Sequence, residues 1–251
     1  MQTILKKSIL NLIVDIGNNS AKFFLFQGKQ MLLHTRKTGN LNSVVEEWKK
    51  TYTIDKAIIS SVIDLAENEK KALDSLGCPV VWFSHATPGP LAIKYGTPDT
   101  LGPDRLAAAI GAWSEAEGRN ILVIDAGSAI TIDFVDNNGN YLGGNISPGI
   151  RMRIRALHEF TGKLPLIEKE GNTPFLGNNT ETAIRSGIIN GICHEMEGYI
   201  RATREKYSDV LVFLTGGDEN PLKNNIKSRI FADKYLVAKG LNRILLEYSN
   251  E

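Results

Sequence analysis

Two short segments combine an aspartate with a glycine turn at the end of an apolar run. The run 121–124 ends in Asp-Ala-Gly-Ser at 125–128, and the run 12–14 ends in Asp-Ile-Gly-Asn-Asn-Ser at 15–20. Such a run predicts a buried strand, and the glycine allows a sharp turn with exposed backbone N–H groups. Carboxylates beside N–H-rich turns are suited to phosphates and their metal ions. The repeat therefore predicts two related half-domains with a phosphate-binding cleft between them.

A third segment places a carboxylate and a guanidinium at the predicted start of a helix. Residues 95–105 read Tyr-Gly-Thr-Pro-Asp-Thr-Leu-Gly-Pro-Asp-Arg. Pro103 suits the first helical position, so Asp104 would lie in the first turn, where the helix dipole favours an ionised carboxylate. Asp104 could then accept a proton from an attacking hydroxyl, and Arg105 could bind an anionic group. The alternative is a helix-capping aspartate beside a surface arginine, and Asp99 is a competing base.

Weaker signals follow two later predicted strands. Gly-Gly-Asn-Ile-Ser-Pro-Gly at 143–149 and Thr-Gly-Gly-Asp at 215–218 could bring backbone close to a ligand, although ordinary turns use the same residues. Thr180 is most simply the N-cap of a long helix, and Asp15 taken alone could equally cap its own turn. No Walker A, Gly-x-Gly-x-x-Gly, Gly-x-Ser-x-Gly or His-Glu-x-x-His pattern occurs, so the common nucleotide, hydrolase and zincin signatures are excluded.

The elements that must position these segments follow from hydrophobic periodicity. Strands are predicted at 11–16, 20–26, 31–36, 57–62, 80–84, 120–125, 129–135, 141–146 and 210–214. Helices are predicted at 42–52, 64–76, 103–118, 150–160, 181–207 and 236–248. Between the strand 80–84 and the helix 103–118, residues 85–103 are rich in proline and glycine and predict a long ordered loop, and such loops are usually functional. Each half begins with a meander and continues with helices, which predicts mixed sheets with helices on their faces.

The whole-chain composition favours small-molecule partners or self-association. The chain has 251 residues, 42% of them hydrophobic, and a formal net charge of +1. That charge provides no basic footprint for nucleic acid or for an anionic membrane surface, and no stretch approaches the ~20 apolar residues of a membrane span. Cys78 and Cys193 lie far apart without metal-ligand spacing, which favours a reducing compartment. We therefore predict a cytoplasmic protein without nucleic-acid or membrane partners.

Taken in order, these segments resemble the type III pantothenate kinases over nearly the whole chain. The resemblance rests on Asp-x-Gly-Asn at 15–18, Thr-Leu-Gly-x-Asp-Arg at 100–105, Asp-x-Gly-Ser at 125–128, the glycine-rich segment 143–149, and Gly-Gly-Asp at 216–218. It implies the fold of the acetate and sugar kinase, Hsp70 and actin superfamily. That fold is α/β, with two ribonuclease-H-like domains, each a mixed sheet flanked by helices, and an interdomain nucleotide cleft.

The resemblance also implies a division of the chain and an assembly. Residues 1–117 would form an N-terminal domain with the phosphate loop and the substrate loop. Residues 118–251 would form a C-terminal domain with the second phosphate and cation motif and a dimer helix. The implied assembly is a homodimer, and Gly187 and Gly191, on or beside the apolar face of the long helix, would permit close approach of another helix.

The activity implied by the resemblance is ATP-dependent phosphorylation of pantothenate to 4′-phosphopantothenate, the first step of coenzyme A biosynthesis. Asp104 matches the general base, Asp125 matches the ligand of a monovalent cation, K⁺ or NH₄⁺, and Asp15 would hold Mg²⁺ through the ATP phosphates. The residues that match the family's ATP contacts are Asp15, Ile16, Gly17, Asn18, Asn19, Ser20, Ala21, Lys22 and Ser128. Those that match its pantothenate contacts are Tyr95, Gly102, Pro103, Asp104, Arg105 and Thr180.

The chain departs from the family pattern at three of these positions. Asn19 stands where the family usually has threonine, Ser128 replaces another usual threonine, and Pro103 takes a variable place. The change at Asn19 removes a hydroxyl from the phosphate loop, and it motivates an alternative interpretation as a non-catalytic regulator on the same fold. A second alternative is another small-molecule kinase, or a phosphate-releasing hydrolase, of the same superfamily.

Overall fold

The computed structural model describes residues 9–18, 20–38 and 41–247, and these form two compact units. The first unit contains the described residues up to Ser114 together with those from Leu236 onward, and the second contains Glu115–Tyr235. Each unit is built on its own mixed β-sheet. The chain therefore leaves the first unit once and returns to it for its last helix.

Apart from a short strand and a 3₁₀ turn, which lie in the predicted loop 85–103, the elements up to the middle of the chain match the order predicted from the sequence. They are β1 (Leu10–Ile16), β2 (Ala21–Gln27), β3 (Gln30–Lys37), α1 (Leu41–Thr51), β4 (Lys56–Ser61), α2 (Glu67–Asp74), β5 (Val80–Trp82), β6 (Ala92–Ile93), a 3₁₀ turn (Pro98–Thr100) and α3 (Pro103–Glu115). The first sheet has the strand order β3-β2-β1-β4-β5. Strands β1 to β3 form the predicted antiparallel meander, and β4 runs parallel to β1.

The remaining elements build the second unit and end with the returning helix. They are β7 (Asn120–Ala126), β8 (Ala129–Val135), β9 (Asn140–Pro148), α4 (Ile150–Glu159), α5 (Thr180–Lys206), β10 (Val210–Thr215), α6 (Glu219–Lys223), β11 (Phe231–Ala232) and α7 (Leu236–Glu247). Within the second unit the strand order is β11-β10-β7-β8-β9. The meander of β7 to β9 repeats the plan of the first sheet, and β10 runs parallel to β7.

The long helix α5 packs on the second sheet through the face that its periodicity predicts. Ile184, Ile188, Ile192 and Met196 are all buried in the core of this unit, and Ile200, one turn further on, is also buried. Their spacing of four residues places them on one helix face. The apolar stripe therefore fixes which side of α5 covers strands β7 and β10.

Helix α7 belongs to the first unit, whereas the sequence-based boundary near residue 118 assigns it to the second domain. It contacts β1 and β4, and it crosses α3 so closely that a Cβ added to Gly240 would lie 1.9 Å from the carbonyl oxygen of Ala107. A buried hydrogen bond of 2.9 Å also joins Asn11 of β1 to Asn242. Side chains distant in sequence thus determine where this helix packs.

The structure differs from the predicted elements mainly where elements are short. Helix α6 and strands β6 and β11 were not predicted, because segments of two to five residues show no usable periodicity. Helix α2 is shorter than predicted and is confined to Glu67–Asp74. The expected N-cap of α5 is wrong by one residue: Asn179 is the N-cap and accepts a hydrogen bond from the N–H of Thr182, while Thr180 is the first helical residue.

Candidate active site

The predicted phosphate loop joins β1 to β2 in the first unit. Its turn is closed by the N–H of Gly17, which donates to the carbonyl oxygen of Ser20 over 3.1 Å. Asp15 near the end of β1 is 5% exposed, and Lys22 on β2 donates to its carboxylate over 3.0 Å. Ile16 ends β1 and is buried, Asn18 is exposed in the turn, and Ala21 begins β2. Asn19 lies outside the described residues.

Asp15 has a buried hydroxyl as its neighbour on the next strand. Ser60 of β4 is directly opposite Asp15 in the parallel ladder and is fully buried. Among the residues that the structure describes, no group hydrogen-bonds to the Ser60 Oγ. A carboxylate and an unsatisfied hydroxyl are oxygen donors of the kind that Mg²⁺ and its water ligands prefer. The residues present therefore fit a divalent ion that is held mainly by phosphate oxygens.

Five of the six predicted substrate residues lie around the start of α3, whereas Thr180 belongs to the second unit. The helix begins at Pro103 and carries Asp104 in its first turn, so this prediction is confirmed. Arg105 is 6% exposed, and its guanidinium lies over the Tyr95 ring, 5.7 Å from the ring centroid. Gly102 leaves room for the catalytic candidate, because a Cβ there would lie 2.7 Å from the Asp104 Oδ1.

The carboxylate of Asp104 is held in one orientation. Its Oδ1 accepts the backbone N–H of Arg105 over 2.8 Å, as expected for a carboxylate at a helix N-terminus. The competing base, Asp99, has a side chain that is 87% exposed and forms an ion pair with His85 over 3.0 Å. Asp104 is thus half-buried and oriented by a backbone hydrogen bond, whereas Asp99 faces solvent.

The second aspartate motif lies at the end of β7 in the second unit. In the ladders on either side, Asp125 is directly opposite Thr215 of β10 and Thr131 of β8. A carboxylate flanked by two hydroxyl residues and by carbonyl oxygens of the turn supplies the oxygen ligands that K⁺ requires, and the same acceptors suit NH₄⁺. The residues present fit a monovalent cation. Ser128, in the turn that follows, is exposed.

Both weaker glycine motifs pack on this same turn. A Cβ on Gly149, the N-cap of α4, would lie 2.3 Å from the carbonyl oxygen of Gly127. A Cβ on Gly216, which follows β10, would lie 2.3 Å from the carbonyl oxygen of Ala126. The N–H of Asp218 also donates to the carbonyl oxygen of Ala126 over 2.9 Å. The turn at 126–127, the residue Gly149 and the segment 216–218 therefore pack together through their backbones, and we call this arrangement the cradle. Only glycine permits such close packing at positions 149 and 216.

A loop that precedes α5 is fastened to this cradle. The Nζ of Lys169 contacts the carboxylate of Asp218 in a largely buried ion pair. Buried Arg185 of α5 donates to the carbonyl oxygens of Glu168 and Asn172 over 3.1 Å and 3.3 Å. The loop that leads to Thr180 is thus ordered from both sides, and Thr180 itself is exposed.

A polar cluster beside the cradle fixes helix α4 on α5. Burial acts to raise the pKa of Glu195, but hydrogen bonds from Arg153 and Ser147, together with the charge on Arg153, outweigh it and lower the pKa below the ordinary 4.5. The Arg153 guanidinium and the Ser147 hydroxyl approach the carboxylate to 2.6 Å and 2.7 Å. Glu195, on α5, is therefore ionised at neutral pH, and its hydrogen bonds connect α5 to Ser147 of β9 and to Arg153 of α4.

Sequence reasoning missed several residues that lie beside the predicted sites or order the loops next to them, among them Ser60, Lys169, Thr131 and Arg185. Ser60 and Thr131 reach the aspartates only through strand register, which the sequence does not reveal. Lys169 and Arg185 hold the loop that precedes α5 in place, and the sequence of that loop has no hydrophobic periodicity from which its position could be predicted. A serine or threonine near the end of a predicted neighbouring strand is the one signal that was present.

Comparison with known proteins identifies the family. Residues 11–202 match the family model for type III pantothenate kinase. A protein of that name from Bacteroides fragilis is 49% identical over 241 residues, which cover 96% of this chain and 99% of the relative. This chain belongs to the type III pantothenate kinase family. A protein of the same name from Porphyromonas gingivalis is 42% identical over 243 residues, covering 95% of this chain and 98% of the relative. The resemblance inferred from the motifs is confirmed.

Solved structures confirm the fold class expected for a type III pantothenate kinase. A Campylobacter jejuni protein assigned to the Baf family of transcriptional activators matches with a TM-score of 0.61 at 24% identity, covering 96% of this chain and all of that one. A ROK family glucokinase from Streptomyces griseus matches with a TM-score of 0.50 at 11% identity, covering 94% and 97%. The two mixed sheets flanked by helices are the ribonuclease-H-like architecture of such sugar kinases.

Neither a membrane-spanning helix nor a cluster of metal ligands occurs in the described part of this family member. No helix among them is both long and apolar enough to cross a membrane. Within 9–18, 20–38 and 41–247, no three His, Cys, Asp or Glu side chains are grouped so that they could hold a metal ion.

Proposed function

We propose that this chain transfers the γ-phosphoryl group of ATP to the primary hydroxyl of pantothenate, which yields ADP and 4′-phosphopantothenate, the first step of coenzyme A biosynthesis. The observation that carries the proposal is the joint placement of Tyr95, Asp104 and Arg105 at the start of α3. It occurs in a chain that belongs to the type III pantothenate kinase family. Phosphoryl transfer needs mainly positioning and charge neutralisation, which these residues can supply.

Asp104 is the proposed general base. Its first-turn position favours the ionised carboxylate, and the N–H of Arg105 donates to its Oδ1, which orients the carboxylate that would accept the proton of a substrate hydroxyl. The proton of the attacking hydroxyl passes to Asp104 as the new O–P bond forms and the bond to ADP breaks. Because the transition state is loose, a carboxylate of modest basicity is sufficient.

Arg105 and Tyr95 are the proposed recognition pair for pantothenate, together with Gly102, Pro103 and Thr180. The buried guanidinium can donate to a carboxylate in the bidentate manner that arginine favours. Tyr95 limits how that guanidinium can move, because the ring faces it. Thr180 enters the proposal by its match to the family, and the ordered loop before α5 supports a fixed position for it.

The phosphate loop, residues 15–22, and Ser128 are the proposed ATP contacts. Bound Mg²⁺ would neutralise charge on the phosphate oxygens. Lys22 brings a positive charge to the loop while it also pairs with Asp15, and the turn at Gly17 presents backbone N–H groups. Asp125, with Thr131 and Thr215 beside it, is the proposed ligand set for a K⁺ or NH₄⁺ ion.

We further propose a homodimer and a cytoplasmic location, as the sequence predicts. In support of the dimer, no described atom outside α5 itself lies within 4 Å of a Cβ added to Gly187, Gly191 or Gly198, so a second helix could approach there. Phe175 and Leu176, shortly before α5, are 79% and 77% exposed. Light scattering that gives the mass of a single chain at micromolar concentration would contradict the dimer.

The experiment that tests the mechanism compares two aspartate variants of the same segment. Asp104→Asn keeps the size of the side chain and removes the base, so we expect kcat to fall by about 100-fold or more while the KM for ATP stays within about twofold. Asp99→Asn is the matched control, because its exposed carboxylate should leave turnover unchanged. Equal activity in Asp104→Asn and the parent protein would remove Asp104 from the mechanism.

A further inference from the structure

Arg36 lies against the phosphate loop although no motif points to it. It is at the end of β3, directly opposite Lys22 of β2, which in turn is directly opposite Asp15 of β1. Residues directly opposite each other in an antiparallel pair project from the same face of the sheet. The 3.0 Å ion pair between Lys22 and Asp15 places this row at the loop. The Nε of Arg36 donates to the Ser20 Oγ over 2.8 Å.

The hydrogen bond from Arg36 limits the directions in which the Ser20 hydroxyl can donate its own proton. A serine hydroxyl has one proton to donate and two lone pairs, whereas a guanidinium has donors only. Because Arg36 uses a lone pair of Ser20, the Ser20 proton must point toward some other acceptor. At the mouth of a loop that binds phosphate, the acceptor of matching charge is a phosphate oxygen.

The charges of the row also favour a polyanion. Lys22 pairs with Asp15, so these two charges largely offset each other. Arg36 is exposed, and among the described residues the structure gives it no carboxylate partner. Its terminal nitrogens can reach a phosphate with two parallel hydrogen bonds, the geometry for which arginine is preferred over lysine.

We propose that Arg36 is a further phosphate-binding residue of the nucleotide site, where it orients the Ser20 hydroxyl toward a phosphate oxygen and adds its own positive charge. The inference rests on the ATP-binding role proposed above for residues 15–22. The competing explanation is that Arg36 and Ser20 merely fasten the edge of the sheet. An exposed hydrogen bond of that kind contributes little to stability, and it would not discriminate between ligands with and without phosphates.

The test uses charge variants at two adjacent positions of β3. Arg36→Met removes the guanidinium, Arg36→Lys keeps the charge without the fork, and Lys37→Met is the matched control. Lys37 loses the same charge at the same sheet end, but its side chain projects from the opposite face because successive residues of a strand alternate. Steady-state kinetics with each variant give kcat and the KM values for ATP and pantothenate.

We expect Arg36→Met to raise the KM for ATP by about tenfold, which corresponds to ~1.4 kcal/mol, with little change for pantothenate. Arg36→Lys should recover part of the loss, and Lys37→Met should match the parent protein. Ser20→Ala should raise the same KM, and the double variant with Arg36→Met should lose less than the two single effects combined. An unchanged KM for ATP in Arg36→Met, or an equal effect of Lys37→Met, would overturn the proposal.

Direct binding separates this inference from the proposed reaction. Calorimetric titrations with Mg-ATP and with adenosine use the same variants and need no turnover. If the parent chain binds Mg-ATP but does not phosphorylate pantothenate, the proposed function fails, while weaker ATP binding by Arg36→Met with adenosine unaffected still supports the role of Arg36. Parallel losses for ATP and adenosine would contradict it, as would a parent chain that does not bind Mg-ATP.

Discussion

Gly216 is the position at which a single methyl group should disturb both the stability of this protein and its proposed cation site. Its φ is +102°, a backbone angle that L-residues with a Cβ rarely adopt. A Cβ there would lie 2.3 Å from the carbonyl oxygen of Ala126 and 2.5 Å from the Asp125 Oδ1. Gly216→Ala must therefore move the backbone of the cradle, the Asp125 carboxylate, or both.

The size of the effect follows from two separate costs. A residue with a Cβ in left-handed backbone costs about 1–2 kcal/mol relative to an ordinary conformation. Forcing an extra methyl into a packed site costs about 1–3 kcal/mol more, because the neighbours must move. We therefore expect Gly216→Ala to lower the free energy of unfolding by about 2–5 kcal/mol, a large share of the ~5–15 kcal/mol typical of a folded protein.

The neighbouring glycine provides the control. Beyond its chain neighbours, no described residue has an atom within 4 Å of a Cβ added to Gly217, and its φ is not positive, so Gly217→Ala should be neutral or slightly stabilising. Urea denaturation followed by circular dichroism compares the two variants. In the folded fraction of Gly216→Ala, the K⁺ concentration for half-maximal activity should rise by about tenfold, equivalent to ~1.4 kcal/mol. Equal stability of the two variants would refute the close packing on which this reasoning depends.

Two further predictions concern charged groups of the second unit. Because the pKa of Glu195 is lowered on folding, its contribution to stability is present above the ordinary pKa of 4.5 and is lost as pH falls through the lowered value. The free energy of unfolding of the parent should thus fall more steeply below pH 4.5 than that of Glu195→Gln, and parallel acid titrations would contradict this assignment. Asp125→Ala should abolish activation by K⁺ while leaving the basal rate in Na⁺; unchanged activation by K⁺ would exclude Asp125 as the ligand.

Much of the fold could be predicted because apolar runs are local signals. Strands β1, β7 and β10 are buried runs bounded by turn residues, and α5 shows its core face at every fourth position. The position of α7 could not be predicted. It depends on a backbone approach at Gly240 and on the pairing of Asn11 with Asn242, which involve residues more than 100 positions apart.

The candidate site also contains residues that could be predicted from local sequence and residues that could not. Asp104 and Arg105 could be identified because their chemistry follows from adjacent positions at a helix start. Ser60 and Arg36 reach the phosphate loop only through strand register, and a shift of one residue would turn each to the other face. The two glycine motifs were ambiguous as isolated turns, and only their shared contact with residues 126–127 gives them a common purpose.

The most direct test of the central claim is detection of the product itself. The purified chain is incubated with Mg-ATP and pantothenate in buffers that contain either Na⁺ or K⁺, and the mixture is analysed by mass spectrometry for 4′-phosphopantothenate and ADP. We predict equal amounts of the two products, dependent on pantothenate and increased by K⁺. ADP formation that does not depend on pantothenate, or a folded protein that forms no phosphopantothenate with either cation, would contradict the proposed function.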